Sequence, residues 1–476
     1  MTVPVFAVVG RPNKGKSSIV ATLARDDSVH IAPGAGSTRS ARRFPMQIDG
    51  EILYELVDTP GIQRARSVLA WLNENATDAA SRPETVRRFV QAHADDPLFS
   101  NEYQMLKPIA EGAGIIYVVD GSCPFGADYE AEMEILRWTG RPSLAVINPI
   151  ESDEYVEEWT AGLGQYFKTV RIFDAHQAET QKQLDLLALF GHLDTQWQEP
   201  LRRAVAVLQE DRQLQHQTAS FLVTDLIVDA LGYRVEQSIP DGVPEEPVQK
   251  FLSTRYKNHL VNRERQCRKQ VEEVFYYSDL QKSEQKISFD DADLFNEQDW
   301  YLWGLNKWQM VTAAGSAGGL AGGGAGLAID AATGGLLGGL GTAISGIGGA
   351  VTSAAGAWKY ADDIGQIKVK GMPSGGKLIA YGPSKNINFP FVLLGRALLH
   401  QRLVSTRTHA AQDKLDLDKP ILDWMSDKQR RKLARIFDDI RSEKKLAQRR
   451  AELAEMVLAR CISVDRRPRH ARQAQV

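Results

Sequence analysis

Gly10-Arg11-Pro12-Asn13-Lys14-Gly15-Lys16-Ser17 meets every defined position of the pattern G-x-x-x-x-G-K-S, and Ser18 follows it. That spacing suits phosphate chemistry. Glycines let backbone N–H groups converge on phosphate oxygens, Lys16 offers positive charge, and the Ser17 hydroxyl is a ligand for Mg²⁺. Gly10, Asn13, Lys14, Gly15, Lys16, Ser17 and Ser18 are therefore the candidate residues for binding a nucleoside triphosphate. Downstream, Asp58-Thr59-Pro60-Gly61 offers a carboxylate to the magnesium shell and, at Gly61, an N–H to a γ-phosphate. Between the two lies a polar, glycine-rich run, Gly34-Ala35-Gly36-Ser37-Thr38-Arg39, in which Thr38 is placed to ligate Mg²⁺ only when the third phosphate is present. Ser17, Thr38 and Asp58 are the expected metal ligands; Lys16, Thr38 and Gly61 are expected to act on the reacting phosphate.

These residues need rigid elements behind them. The apolar run Val3 to Val9 reads as a strand delivering the glycine loop, and Ser17 to Leu23 as the start of a helix whose N-terminal dipole adds to the anion site. Ile52 to Val57, Gly114 to Asp120, Ser143 to Asn148 and Thr169 to Phe173 read as further buried strands. Strands alternating with helical stretches predict an α/β fold with a mainly parallel sheet covered on both faces.

The first ~190 residues, about one domain's length, resemble a P-loop GTPase of the Era and TrmE group in four motifs: GRPNxGKSS, the STR switch, DTPG and the YVVDGS strand. The resemblance implies GTP and Mg²⁺ as ligands and GTP hydrolysis as the activity. It also implies an Asn-Lys-x-Asp element that reads guanine, and here the sequence has Asn148-Pro149-Ile150-Glu151. Asn148 is kept and Glu151 could stand in for the aspartate, with Asp153 a second candidate; Pro149 removes the lysine. Asp174-Ala175-His176 sits where the family offers a backbone N–H to the base, Ala175 being the matching residue. A loosened guanine preference is therefore expected. Ile62 occupies the place where many GTPases orient the attacking water with glutamine, so unaided hydrolysis should be slow. The TrmE side of the resemblance implies a remedy in which Asn13 helps bind K⁺, giving potassium-stimulated hydrolysis and a head-to-head homodimer; Asn13 shaping the loop is the other reading. Gln63 and Arg64 are weaker catalytic candidates, and Lys14 has no firm role.

Residues 63–105 lengthen the passage between two strands, with a helical look from Pro83 to Ala94, and read either as an extended second switch or as a surface decoration. Far downstream, Val311 to Ala357 contains one charged residue, Asp330, and is mostly Gly, Ala, Leu, Ile, Ser and Thr. It is long enough for two helices of ~20 residues, the span of a bilayer core. Gly315, Gly319 and Gly323 repeat at helix-packing spacing, as do Gly334, Gly338, Thr342 and Gly346. Trp300, Tyr301, Trp303 and Trp308 precede the segment while Trp358 and Tyr360 follow it, as an interfacial belt would. A hairpin entering membrane lipid through 311–357 is the first reading; a packed hairpin and a flexible linker are the others.

Charge is unevenly spread. From residue 361 onward Lys and Arg outnumber Asp and Glu by 24 to 13, although the whole chain carries −3. That favours anionic lipid at an inner membrane face, with RNA or the ribosome a second reading. Cys123, Cys267 and Cys461 are too few and scattered for a disulfide framework or zinc cluster, and no leader is expected before the first strand, so a cytoplasmic protein at the membrane's inner face is anticipated. The expected layout is a GTPase domain at 1–195, a helical region at 196–299, a glycine-rich hydrophobic hairpin at 300–360, and a basic, mostly α-helical region at 361–476 with a disordered tail. Within these, Thr218 to Leu231, Glu245 to Tyr277, Phe391 to Arg407 and Asp427 to Leu458 read as helices, and a β-hairpin turns at 371–376. As a whole the chain resembles uncharacterised bacterial proteins whose C-terminal region has no known function. The expected activity is a GTP-hydrolysing switch coupled to membrane association, with a ribosome-maturation GTPase or a nucleotide-gated membrane-perturbing effector as alternatives.

Overall fold

A computed structural model describes residues 3–26, 29, 38, 40–176, 178, 180–277, 367–372, 375–408 and 425–465. These fall into two compact units, one of residues 3–214 with 406–408 and one of 215–405 with 425–465.

In the first unit a six-stranded sheet runs β2-β3-β1-β4-β5-β6. Its strands are β1 (Val5–Val9), β2 (Arg42–Ile48), β3 (Glu51–Asp58), β4 (Gly114–Asp120), β5 (Ser143–Asn148) and β6 (Val170–Ile172). All neighbours pair in parallel except β2, an antiparallel edge strand. Strand β2 carries Pro45, which an edge tolerates because one side of its backbone needs no partner. The alternation of strand side chains decides what covers each face. Phe6 and Val8 point into a cluster with Ile19, Leu23, Leu187 and Phe190. Ala7 and Val9 point the other way, among Val68, Phe89, Leu106 and Trp159. The cluster around Phe6 takes in α1 (Lys16–Ala24), α7 (Thr180–Leu193) and the start of α8 (Thr195–Gly232). The opposite face is covered by α2 (Ala65–Asn75), α3 (Arg82–Ala92), α4 (Ser100–Ala110), α5 (Asp128–Trp138) and α6 (Val156–Leu163).

Residues 63–105 are thus no surface decoration. Val68, Phe89, Met105 and Leu106, each at most 1% exposed, make α2, α3 and α4 part of the core in place of a single crossover helix. The register sets the ends of β1 and β3 almost level, with Val8 opposite Asp58, and those of β4 and β5 level, with Asp120 opposite Asn148. Because Val9 stands opposite Tyr117, β4 and β5 run on past the end of β1 and flank the glycine loop. The connections from β1 and β4 leave in opposite directions along the sheet, so the glycine loop lies at the topological switch point where open α/β sheets bind ligands.

The second unit holds a three-stranded antiparallel sheet, β7 (Val235–Ile239), β9 (Lys377–Tyr381) and β8 (Ile367–Gly371) in that order. Strands β8 and β9 are the anticipated hairpin; β7 joins them unforeseen. At their turn Gly376 has φ +89° and a side chain there would meet the Ile239 carbonyl at 2.5 Å, so the glycine is obligatory. Around the sheet pack α9 (Glu245–Val274), α10 (Phe389–Thr406), α11 (Asp427–Arg441) and α12 (Leu446–Asp465). The single long helix expected over Asp427 to Leu458 is two. Glu443 and Lys445 adopt left-handed φ of 54° and 50°, and the Lys444 N–H turns back to the Asp439 carbonyl at 2.8 Å. Ser426 opens α11 with a capping box to Gln429. A buried ion pair, Arg396 with Glu264 at 2.6 Å, and a buried hydrogen-bonded pair, His400 with Glu272 at 2.9 Å, cross this core; burial lowers the His400 pKa despite that carboxylate. The glycine-rich segment 311–357 lies outside the described residues. Among those described, no helix is long and apolar enough to cross a membrane.

Candidate functional site

Backbone shape makes the glycine loop before side chains enter. Gly10 has φ +141°, and a Cβ on it would stand 2.3 Å from the Val118 carbonyl oxygen. Gly15 has φ +82°, with Asn148 Nδ2 at 2.1 Å from where its Cβ would be. Asn13 takes the left-handed φ of 59° that asparagine tolerates, and its side chain is exposed at the loop tip. Helix α1 then starts at Lys16 with no side-chain cap and no acidic residue in its first turn, which leaves its N–H groups for an anion.

Lys16 and the three oxygen ligands converge at this point. Lys16 Nζ donates to the Arg11 carbonyl at 2.8 Å inside the loop. Only 6% of Lys16 is exposed, and that burial lowers its pKa to about 8 against the pull of Asp58 and Glu132. Ser17 Oγ donates to Asp58 Oδ2 at 2.8 Å, Thr38 Oγ1 donates to the same oxygen at 2.9 Å, and the two hydroxyls are 3.4 Å apart. Asp58 is buried, its Oδ1 has no hydrogen-bond partner, and burial pushes its carboxyl pKa up despite both hydroxyls. Three hard oxygens around an orphaned carboxylate oxygen fit Mg²⁺.

The DTPG loop is fastened to β1. Thr59 Oγ1 donates to the Val8 carbonyl at 2.7 Å, and the Ile62 N–H to the Gly10 carbonyl at 3.2 Å. Gly61 lies so close to the glycine loop that a Cβ would be 2.4 Å from Pro12 N. Ile62 is 4% exposed and turned into the core, while Gln63 and Arg64 are exposed.

On the base side, Asn148 is fully buried. Its Oδ1 accepts the Ala175 N–H at 3.2 Å and its Nδ2 donates to the Lys14 carbonyl at 3.4 Å, tying the loops after β5 and β6 to the glycine loop. The Ala175 carbonyl accepts from Thr22 Oγ1 at 2.9 Å. Glu151 and Asp153 are exposed on the loop after β5. Lys14 Nζ stands 3.1 Å from Asp120 Oδ2 and 3.3 Å from Cys123 Sγ. Burial works against that charge, but the bonds to Asp120 and Cys123 outweigh it and raise the pKa. Its ammonium is therefore already partnered, and Ser18 is buried on α1.

Sequence reasoning missed a brace beneath the loop. Arg11 pairs with the buried Glu132 of α5, lies 3.8 Å over the Tyr129 ring, and shares Glu132 with Tyr117 Oη at 3.0 Å. A signal existed, since Glu132 sits on the apolar face of α5 between Tyr129, Ile135 and Leu136, where an acid needs a partner.

Residues 161–459 match the family model described as a domain of unknown function (DUF3482), and residues 5–149 match the one described as 50S ribosome-binding GTPase. The chain belongs to the DUF3482 family. Its amino-terminal unit is a P-loop GTPase domain of the Der and Era kind. A GTPase Der of Thermosynechococcus vestitus is 31% identical over 198 residues, covering 40% of this chain and 36% of that protein. One of Paraburkholderia phymatum is 29% identical over 152 residues, covering 32% and 28%. This DUF3482 chain thus spans about a third of the length of the curated relatives it matches. A crystal structure of Aquifex aeolicus Era bound to GDP and aluminium fluoride matches at 16% identity and TM-score 0.27, over 55% of this chain and 89% of that one. These relatives carry the Der and Era names; they lend no support to the TrmE side of the resemblance.

Proposed function

We propose that this DUF3482 protein binds GTP with Mg²⁺, hydrolyses it to GDP and phosphate, and uses the difference as a switch. The observation that carries the reading is the convergence of Ser17, Thr38 and Asp58 within hydrogen-bond reach of one another, beside a buried Lys16. Bound Mg²⁺ would offset the negative charge of the phosphates. Ser17, Thr38 and Asp58 would hold that ion, with the Ser17 and Thr38 hydroxyl hydrogens turned away from Asp58. Lys16 leaves the Arg11 carbonyl for the phosphates and regains full charge beside them. Gly61 offers its N–H to the γ-phosphate, and Gly10, Asn13, Gly15 and Ser18 shape the loop and helix end around the other two. Asn148 and Ala175 face the base, with Glu151 or Asp153 supplying a carboxylate.

Hydrolysis is slow without help, because the residue after Gly61 is a buried isoleucine that cannot orient water. Asn13 would help hold a K⁺ that offsets charge in the transition state; its carboxamide is exposed at the loop tip. The switch acts on a partner outside the GTPase unit. Membrane lipid contacted through residues 311–357 is the first candidate, supported by that segment's composition and aromatic flanks. Ribosomal RNA is the second, supported by the description of the family model matched at 5–149. Mant-GTP binding and phosphate release, with and without Mg²⁺, test the nucleotide reading. Liposome flotation against co-sedimentation with ribosomal subunits, each with and without residues 311–357, separates the partners.

A further inference from the structure

Helix α4, from the enlarged crossover between β3 and β4, grips both segments that must meet the γ-phosphate. Glu102 Oε1 accepts the backbone N–H of Gln63 at 2.9 Å and of Arg64 at 2.8 Å, directly after Asp58-Thr59-Pro60-Gly61-Ile62. Two residues along, Gln104 Oε1 accepts the Ala41 N–H at 3.2 Å, three residues after Thr38. Glu102 is 1% exposed. A buried carboxylate so placed depends on the groups it accepts from, and those groups depend on it.

The helix that carries both side chains is immobilised by packing. Met105, Leu106 and Ile109 are at most 1% exposed, and Glu111 to Ala113 lead straight into β4. The Ile62 N–H on the Gly10 carbonyl and the close approach of Gly61 to Pro12 define where the γ-phosphate N–H must stand. Glu102 holds the far end of that same short loop. Arg64, the N-cap residue of α2, contributes no side-chain cap, so Glu102 also caps that helix from a neighbouring element.

We infer that Glu102 and Gln104 are positioning residues for the triphosphate state: they hold the DTPG loop and the end of the Thr38 segment on one rigid helix, so that both present themselves to the third phosphate together. This rests on the nucleotide reading above. The two grips differ in strength. Two charge-assisted bonds fix the DTPG side and one neutral bond fixes the Thr38 side, so losing Glu102 should cost more than losing Gln104.

The test is fluorescence titration of the full chain with mant-GDP and a non-hydrolysable mant-GTP analogue in Mg²⁺, using Glu102→Ala, Glu102→Gln and Gln104→Ala. A residue that merely supports the fold would weaken both nucleotides alike. The inference expects Glu102→Ala, which removes both bonds, to weaken the analogue about ten-fold more than GDP, the lower end of the scale for hydrogen bonds to a charged group. Glu102→Gln, which keeps an acceptor oxygen and the volume, should recover part of the loss, and Gln104→Ala should cost about three-fold on the analogue alone. Should Glu102→Ala fail to fold, Glu102→Gln decides: a selective loss supports the inference, an unchanged ratio of analogue to GDP overturns it. Equal weakening of both nucleotides in all variants also overturns it while leaving the nucleotide reading intact. Wild-type protein that binds neither nucleotide refutes both.

Discussion

Asp58→Asn should make the nucleotide-free protein more stable and the magnesium-dependent state weaker. Asp58 sits 4% exposed with Oδ1 orphaned, and its carboxyl pKa is raised by burial although two hydroxyls donate to Oδ2. The folded chain therefore holds this carboxylate ionised against its preference. A carboxyl whose pKa is higher folded than unfolded contributes stability that is fully present below the unfolded pKa and lost as pH rises through the folded one. At neutral pH Asp58 is thus a net cost. An unsatisfied buried acceptor costs ~1–3 kcal/mol. Asparagine removes the charge and keeps the shape, and its oxygen can still accept from both hydroxyls, but its NH2 takes the orphaned place, so only the charge is relieved and a gain of about 1 kcal/mol is expected. For a domain of this size that is a rise of ~2–4 °C in apo Tm. The functional effect has the opposite sign. Wild-type protein at a hundred-fold excess of ligand over Kd should gain ~2.7 kcal/mol from a GTP analogue with Mg²⁺, and the variant should gain far less. Differential scanning fluorimetry, with and without Mg²⁺ and analogue, reads both effects. A lower apo Tm in the variant, or an undiminished magnesium-dependent shift, would refute the placement of Asp58.

Other consequences are equally open to measurement. Lys16, with a pKa of about 8, should take up a proton when nucleotide binds near pH 8.5, which calorimetry in buffers of different ionisation heat will detect; its lowered pKa also means that apo stability rises with pH between about 8 and 10.5, a slope that Lys16→Met should remove. Gly10→Ala should abolish nucleotide binding, since its Cβ would lie 2.3 Å from the Val118 oxygen at a φ that alanine rarely adopts. Replacing K⁺ with Na⁺ should slow phosphate release if Asn13 holds the ion, and Asn13→Ala should make the rates equal. Arg396→Met should destabilise the second unit by about 3–5 kcal/mol in denaturant unfolding by stranding the buried Glu264, with Glu264→Gln in the same chain restoring much of the loss.

The glycine loop, DTPG and the buried strands were legible because each is local: a few residues of fixed type at fixed spacing whose backbone demands leave few alternatives. Asn148 and Ala175 were placed only by the resemblance to the GTPase group; the structure puts one at the end of β5 and the other just after β6. What escaped depends on partners distant in sequence. Glu102 and Glu132 look like ordinary helical acids until the fold brings Gln63 and Arg11 to them. Lys14 looked available to phosphate until Asp120, at the end of β4, was found beside it. Strand β2 was overlooked because Pro45 interrupts its pattern, which only an edge position explains. The break between α11 and α12 was hidden in continuous helix-forming composition, where Glu443 and Lys445 give no glycine or proline as warning.

Isothermal titration calorimetry tests the central claim most directly, with GDP, a non-hydrolysable GTP analogue and the adenine counterparts titrated into the full chain in Mg²⁺. The account predicts binding of one guanine nucleotide per chain, tighter with Mg²⁺ for the triphosphate analogue and abolished by Lys16→Ala. Absence of heat with every purine nucleotide, or binding undiminished by Lys16→Ala, would contradict it.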